Sequence, residues 1–82
     1  MSTTIKLQPR PKFWCGKPPA KDDFGDVITD KFYDAKTKRG PWAIMSPANF
    51  VKHRITRDGL LGMGLGQEYT KQPDGKYLKT GG

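Results

Sequence analysis

The chain contains one cysteine and one histidine, Cys15 and His53, and these two side chains are the ones best suited to chemistry. Together they offer two metal ligands, whereas a structural zinc site needs four donors, usually Cys or His. His53 has no nucleophile and no second titratable partner beside it in the sequence, so we predict no acid–base or nucleophilic role for it. We therefore expect no bound metal and no cofactor.

A glycine-rich stretch at residues 59–66 is the other candidate for chemistry, because some glycine-rich loops cradle phosphates. Its spacing matches neither G-x-G-x-x-G nor G-x-x-x-x-G-K-[ST], the two common nucleotide-binding patterns. The sequence also offers no paired-carboxylate setting and no nucleophile with an adjacent base, so we predict that the protein is not an enzyme. The alternating glycines instead predict a backbone that packs closely against a neighbouring hairpin.

The centre of the chain has the pattern of a β-hairpin. Residues 27–35 alternate with the two-residue period of a strand, residues 38–40 supply a turn, and residues 41–45 return with Pro41 at the first position. We predict that Phe32 and Trp42 lie in the core, because aromatic side chains bury large apolar areas.

A short helix is expected directly after this hairpin. Ser46 is a suitable N-cap and Pro47 suits the first helical position, so one or two helical turns are predicted over residues 48–54. The fold class that follows is small and mostly β, with a central hairpin and one short helix.

The two ends of the chain have separate patterns. Residues 1–11 contain Pro9 and Pro11 and predict an extended arm with Ile5 and Leu7 as its apolar contact residues. Residues 70–82 predict a C-terminal hairpin that turns at Pro73-Asp74-Gly75. Two strands alone are marginal in water, so this hairpin needs either the domain at residues 12–69 or a partner.

Charge is distributed unevenly along the chain, whose formal net charge is +7. Residues 22–34 hold five acids against one base, a balance of −4, whereas residues 36–57 hold six bases and no acid, a balance of +6. Such a polarised surface suits a charged partner, either a phosphate backbone or an acidic protein face. The alternative, that these bases are simply solvated, stays open.

No stretch of the sequence has the apolar length needed to span a membrane. The first residues also lack an apolar core of signal-peptide length, so synthesis and residence in a cytoplasm are expected.

Two motifs in this chain resemble those of small zinc-ribbon-like proteins common in tailed-phage genomes. Those proteins pair C-x-x-C-G with F-x-D-x-x-T-x-x-G-P-W-A-x-M-C-P-x-C and close on G-x-G-L-G-x-G-x-G-Q-x-Y. Here the second motif reads FYDAKTKRGPWAIMSPAN over residues 32–49, and the close reads GMGLGQEY over residues 62–69, ending at Tyr69. The resemblance covers residues 12–69 and implies a zinc-ribbon-like β-hairpin domain in which Tyr69 is structural.

The same resemblance puts the four metal positions of the family at Lys12, Cys15, Ser46 and Asn49, and only Cys15 can supply a thiolate. It therefore implies a degenerate ribbon without metal, in which Cys15 is a small buried hydrophobe. Structural zinc contributes on the order of 10–16 kcal/mol to small domains that are otherwise unfolded. Without it, we expect association with a partner to supply part of the stability.

The missing metal, the proline-containing arm and the C-terminal hairpin all favour an interaction protein. With the phage resemblance, they give the hypothesis of a non-enzymatic minor virion component, capsid-decorating or head–tail associated. It would be made in the host bacterial cytoplasm and assembled with capsid, portal or tail proteins. The expected contact residues come from the arm, the basic segment and the glycine-rich loop: Ile5, Leu7, Lys38, Arg39, Arg54, Arg57, Leu61, Met63 and Leu65.

Two other functions stay open. The basic segment at residues 36–57 contains Trp42, Phe50 and His53, a composition that also suits a nucleic-acid binder. The expectation that Trp42 and Phe50 are needed in the core argues against a nucleic-acid binder. A phage accessory protein that binds a host enzyme, such as the host RNA polymerase, is the third possibility.

Overall fold

The computed structural model describes residues 12–82, which form a four-stranded antiparallel sheet with one short helix. The sheet has the order β2-β1-β3-β4. The elements are β1 (Lys31–Lys36), β2 (Trp42–Met45), α1 (Pro47–His53), β3 (Gly66–Lys71) and β4 (Tyr77–Gly81). The predicted small, mostly-β fold is confirmed, and the expected arm at residues 1–11, with Ile5 and Leu7, lies outside the described residues. In residues 12–82 no helix is both long and apolar enough to cross a membrane.

The central hairpin is formed by β1 and β2, with Tyr33 opposite Met45 and Lys36 opposite Trp42. β1 begins at Lys31 rather than at residue 27, because Val27 forms an isolated bridge with Lys21 instead of joining the sheet. The turn is closed by Thr37, whose N–H and hydroxyl both donate to the Pro41 carbonyl, at 3.0 and 2.8 Å. This closure fixes the direction in which the turn residues point.

Helix α1 begins as the sequence predicts. Ser46 is the N-cap, its hydroxyl accepts from the Asn49 N–H at 3.4 Å, and Pro47 takes the first helical position. Phe50 on α1 is buried and stacks on Tyr33 of β1, with ring centroids 4.0 Å apart. The helix is therefore held against one face of the sheet by an aromatic contact.

Each face of the sheet carries its own core cluster. On one face Phe32, Ile28 and Tyr77 are buried, and Tyr69 packs against them as a structural residue. On the other face Ala35, Met45 and Phe50 are buried. Phe32 and Met45 are both fully buried, which confirms the prediction for Phe32.

The C-terminal hairpin, β3 with β4, belongs to this same sheet. β3 pairs with β1 along its length, with Phe32 opposite Tyr69, so the sequence division after Tyr69 falls inside β3. The support that the hairpin needs is supplied within the described chain. This hairpin consequently gives no reason to require an external partner.

Both edges of the sheet are covered by backbone from other segments. At the β2 edge the Asp23 N–H donates to the Ile44 carbonyl at 2.9 Å, and the Ile44 N–H donates to Asp23 Oδ2 at 2.7 Å. At the β4 edge the Trp14 N–H donates to the Tyr77 carbonyl at 2.8 Å. An added strand from a partner would have to displace these contacts. A partner is therefore more readily bound by exposed side chains than by a sheet edge.

Candidate functional site

The four positions that the resemblance assigns to metal ligands are split between two parts of the fold. The backbone carbonyl of Lys12 accepts from the Lys79 N–H of β4 at 2.7 Å. Ser46 and Asn49 instead follow β2, at the opposite edge of the sheet. Residues 12–82 contain no group of three or more His, Cys, Asp or Glu side chains that could hold a metal ion. Any binding site in the described part of the chain therefore depends on side chains other than a set of metal ligands.

Cys15 is exposed, which corrects the expectation of a small buried hydrophobe. The reason is that its neighbour Trp14 packs against the core cluster of Phe32, Ile28 and Tyr77 instead. The Trp14 ring lies edge-on to Phe32 and to Tyr69, with centroids 5.1 and 5.3 Å apart. Sequence reasoning missed Trp14, although an aromatic residue beside a cysteine is the stronger candidate for burial.

The turn from Ser46 to Asn49 binds a carboxylate, that of Asp22. Asp22 Oδ2 accepts from the Ser46 N–H at 2.8 Å and from Asn49 Nδ2 at 2.6 Å. Its other oxygen, Oδ1, accepts from the N–H groups of Phe24 and Asp26 at 3.0 and 2.9 Å. One buried side chain thus ties the loop at residues 22–26 to the start of α1.

These contacts also set the ionisation of Asp22. Burial alone would raise its pKa, but hydrogen bonds from Asn49 and from the backbone at Ser46 and Asp26 outweigh that effect and bring the pKa well below its usual range. The carboxylate is consequently charged at neutral pH and is fully supplied with donors.

Beside this loop lies a cleft of about 370 Å³, which we call the aromatic cleft. Small-molecule sites range over about 300–1,000 Å³, so this cleft has room for one small planar group. Its walls combine aromatic and other apolar side chains with three polar ones. The lining residues are Asp23, Phe24, Thr37, Arg39, Pro41, Trp42, Ala43 and His53.

Trp42 is 47% exposed in this cleft, which corrects the prediction that it lies in the core. The reason is its position as the first residue of β2, an edge strand, directly after the turn. Its register opposite Lys36 places it on the same face as Ile44, where the core cluster is formed by Phe32, Ile28 and Tyr77 without it. Trp42 therefore presents an aromatic surface to solvent.

Phe24 and His53 form the second aromatic element of the cleft. Their rings are stacked, 4.3 Å apart and within 4° of parallel, and Phe24 is 45% exposed. Phe24 is placed by its N–H bond to Asp22, and His53 is placed at the end of α1, where its carbonyl accepts from the Lys38 N–H at 2.8 Å. His53 thus acts as an aromatic ring, and its stack with Phe24 could not be predicted from the sequence.

A second depression, which we call the basic groove, lies beyond the end of α1. Its volume is about 290 Å³, and its lining is mostly cationic or polar. The lining residues are Lys38, Val51, Lys52, Arg54, Ile55, Thr56 and Arg57. Lys38 and Arg39 are adjacent in the β1–β2 turn, so the turn gives one cation to the basic groove and one to the aromatic cleft.

The cations of this region lack acidic partners in the described part of the chain. Over residues 12–82 the only ion pair is Lys31 with Glu68, at 3.6 Å. Arg54 differs from the others because its guanidinium contacts the Phe50 ring and donates to the Arg57 carbonyl. Arg54 is therefore partly structural, whereas Lys38, Arg39 and Arg57 are exposed and available.

The predicted apolar contact residues of the glycine-rich loop do not form one surface. Leu61 packs against the core cluster of Ala35, Met45 and Phe50, and Leu65 is half-buried. Met63, in contrast, is fully exposed. The structure thus brings Lys38, Arg39, Arg54 and Arg57 together near the end of α1. Met63 is exposed, whereas Leu61 and Leu65 are half-buried.

Phe24 was the main omission from the sequence-based list of site residues. It follows Asp22-Asp23 and precedes Gly25, and Asp22 accepts backbone N–H bonds from within this loop. An aromatic residue at the tip of a tight polar loop has no local core to enter. This sequence context could have indicated that Phe24 is exposed.

The arrangement is suited to binding a planar, anionic group. Aromatic faces can stack on planar groups, and the unpaired cations beside them can contact anions. Comparison of the chain with family profiles, with curated proteins and with solved structures found no match.

Proposed function

We propose that this protein is a non-enzymatic binding protein that contacts nucleic acid through the aromatic cleft and the basic groove. The observation that supports this most directly is the exposure of Trp42 beside cations without acidic partners. Proteins that bind nucleic acid non-specifically combine a positively charged track with aromatic side chains on which bases stack. The sequence-based objection, that Trp42 and Phe50 are needed inside, holds only for Phe50.

The charge pattern supports the same proposal. Lys38, Arg39 and Arg57 lie around the end of α1, and the acidic part of the chain includes side chains already engaged in internal bonds. Asp22 is buried in its hydrogen-bond network, and Asp23 Oδ2 accepts from the Ile44 N–H. Within residues 12–82 neither carboxylate forms an ion pair with Lys38, Arg39 or Arg57, so these cations are free to contact a polyanion.

The resemblance to tailed-phage proteins supports a place among phage accessory proteins, and a virion component remains the second candidate. One observation favours it: Met63 and Leu60 are exposed on the glycine-rich loop, at 102% and 59%. Exposed methionine suits an adaptable protein contact. Mass spectrometry of purified particles tests this candidate, and absence of the protein from the particle would remove it.

Binding of a labelled single-stranded oligonucleotide should be strongly salt-dependent. For single strands, the logarithm of the binding constant falls with the logarithm of salt concentration by roughly 0.7 per phosphate contacted. We expect Arg39→Ala to weaken binding at low salt and to reduce that slope by about the equivalent of one contact. Fluorescence anisotropy over a salt series gives both quantities.

Lys76→Ala is the matched control for Arg39→Ala. Lys76 is exposed in the β3–β4 turn, at the end of the sheet opposite the β1–β2 turn, so its removal changes net charge equally without touching the site. Equal slopes for the two variants would indicate general charge attraction rather than this surface. No binding of DNA or RNA at low salt would exclude the proposed function.

A further inference from the structure

We infer that the aromatic cleft holds one unpaired base, so that the protein prefers single-stranded nucleic acid to a duplex. This inference rests on the proposed function and adds which form of nucleic acid is recognised. The evidence is the position of two exposed aromatic elements in one small cleft. Trp42 lies on β2, and the Phe24–His53 stack lies between the loop at residues 22–26 and the end of α1.

The backbone that carries each aromatic element is fixed before any ligand binds. Trp42 is paired through its backbone with Lys36 of β1, and the turn that precedes it is closed by Thr37, so the Cα of Trp42 has a fixed place beside the cleft. Phe24 is held by its N–H bond to Asp22, and its ring is held by His53 at 4.3 Å. A preorganised pocket loses less conformational entropy on binding, which favours a stacked base over a flexible contact.

The size of the cleft limits what can enter. At about 370 Å³ it suits one planar group, and the bases of a duplex are already stacked and paired. Extruding a base from a duplex costs a few kcal/mol, a cost that is smallest for a base that is already single-stranded. A preference for single strands follows from that difference.

The neighbouring cations favour one path for the sugar–phosphate chain across the surface. Arg39 lines the cleft, and Lys38, the preceding residue, lines the basic groove together with Arg57. Asp23 is the one acid among the lining residues of the cleft, and its Oδ2 is bonded to the Ile44 N–H. The phosphates on either side of a bound base would therefore lie toward Arg39 and the basic groove, away from Asp23.

Three ligands of equal length distinguish this inference from general phosphate binding: a single strand, the corresponding duplex, and a single strand without bases. We expect the ordinary single strand to bind at least tenfold more tightly than the other two. Trp42→Ala should weaken its binding by about 5- to 150-fold, equivalent to ~1–3 kcal/mol for one stacked base. The same variant should leave the salt slope and the binding of the baseless strand almost unchanged.

Val27→Ala is the control for Trp42→Ala, because Val27 is 64% exposed and lines neither depression. Trp42→Phe should recover part of the lost affinity, since it keeps an aromatic face. Salt-dependent binding of equal strength to all three ligands would overturn the inference and leave the proposed function standing. Failure of all three to bind at low salt would overturn both.

Discussion

Replacing Asp22 by alanine is expected to destabilise the protein by about 3 kcal/mol or more, because the backbone N–H groups of Phe24, Asp26 and Ser46 lose their acceptor. For a domain of this size each kcal/mol shifts Tm by ~4–8 °C, so a loss of at least about 12 °C is expected. Thermal unfolding followed by circular dichroism measures this shift.

Asp22→Asn and Asp58→Asn separate the hydrogen-bond network from loss of charge alone. Asn at position 22 keeps one acceptor but turns an amide donor toward the donors of Ser46 or Asn49, so we expect an intermediate loss of stability. Asp58 is exposed, and its change should shift Tm by no more than a few degrees. A Tm for Asp22→Ala equal to that of Asp58→Asn would contradict the role given to Asp22.

The same network sets a sign for the pH dependence. The pKa of Asp22 in the folded protein is depressed, so its stabilising contribution is complete above its unfolded pKa of about 3.9. That contribution is lost as pH falls from there toward the depressed folded value. Asp22→Asn should therefore lose stability less steeply on acidification below pH ~4 than the unaltered protein does.

Replacing Gly66 by alanine is expected to cost about 3 kcal/mol or more. Gly66 begins β3 opposite Ala35, and an added Cβ would lie 2.7 Å from the Ala35 Cα and closer still to its Cβ. Both residues are buried, and Gly66 also has φ +148°, which L side chains rarely adopt. Chemical denaturation at constant temperature measures the change in free energy of unfolding.

Gly64→Ala is the matched control for the Gly66 variant. Gly64 has φ +78° but nothing within 4 Å of an added Cβ, so only the backbone penalty of about 1–2 kcal/mol applies. A larger loss for Gly66→Ala than for Gly64→Ala is expected from the close approach of β3 to β1 together with the more restricted φ of Gly66. Equal losses for both would contradict a cost from the close approach.

The Asp22 network lies at the turn to which the sequence resemblance assigns two zinc ligands. The turn that the resemblance assigns to two metal ligands, Ser46 and Asn49, holds a carboxylate through the Ser46 N–H and the Asn49 amide. This network stabilises the fold together with the two core clusters on the faces of the sheet.

Much of the fold could be predicted because its signals are local. The N-cap at Ser46, Pro47 at the first helical position, and the turn at residues 73–75 each depend on neighbouring residues. The pairing of β3 with β1 could not be predicted in the same way, because it joins segments distant in sequence. From the sequence alone, the last hairpin could therefore be supported either by the domain or by a partner.

The site was predicted less well than the fold, for a related reason. The basic residues were recognised because charge can be counted, and Lys38, Arg39, Arg54 and Arg57 do lie near one another. Whether Trp14 or Trp42 is buried depends on which segment covers which face of the sheet. Alternation in a short edge strand does not decide this. Burial was predicted for both Trp42 and Cys15, and both are exposed.

The most direct test of binding through the aromatic cleft is an NMR titration of the protein with a single-stranded oligonucleotide. The chain has two tryptophans, and their indole N–H signals report on separate places: Trp42 in the cleft, and Trp14, half-buried against Phe32, at the β4 edge of the sheet. We predict that the Trp42 signal shifts and saturates with the ligand while the Trp14 signal stays almost unchanged. Binding that leaves the Trp42 signal in place, or that moves both signals alike, would contradict the assignment of the cleft.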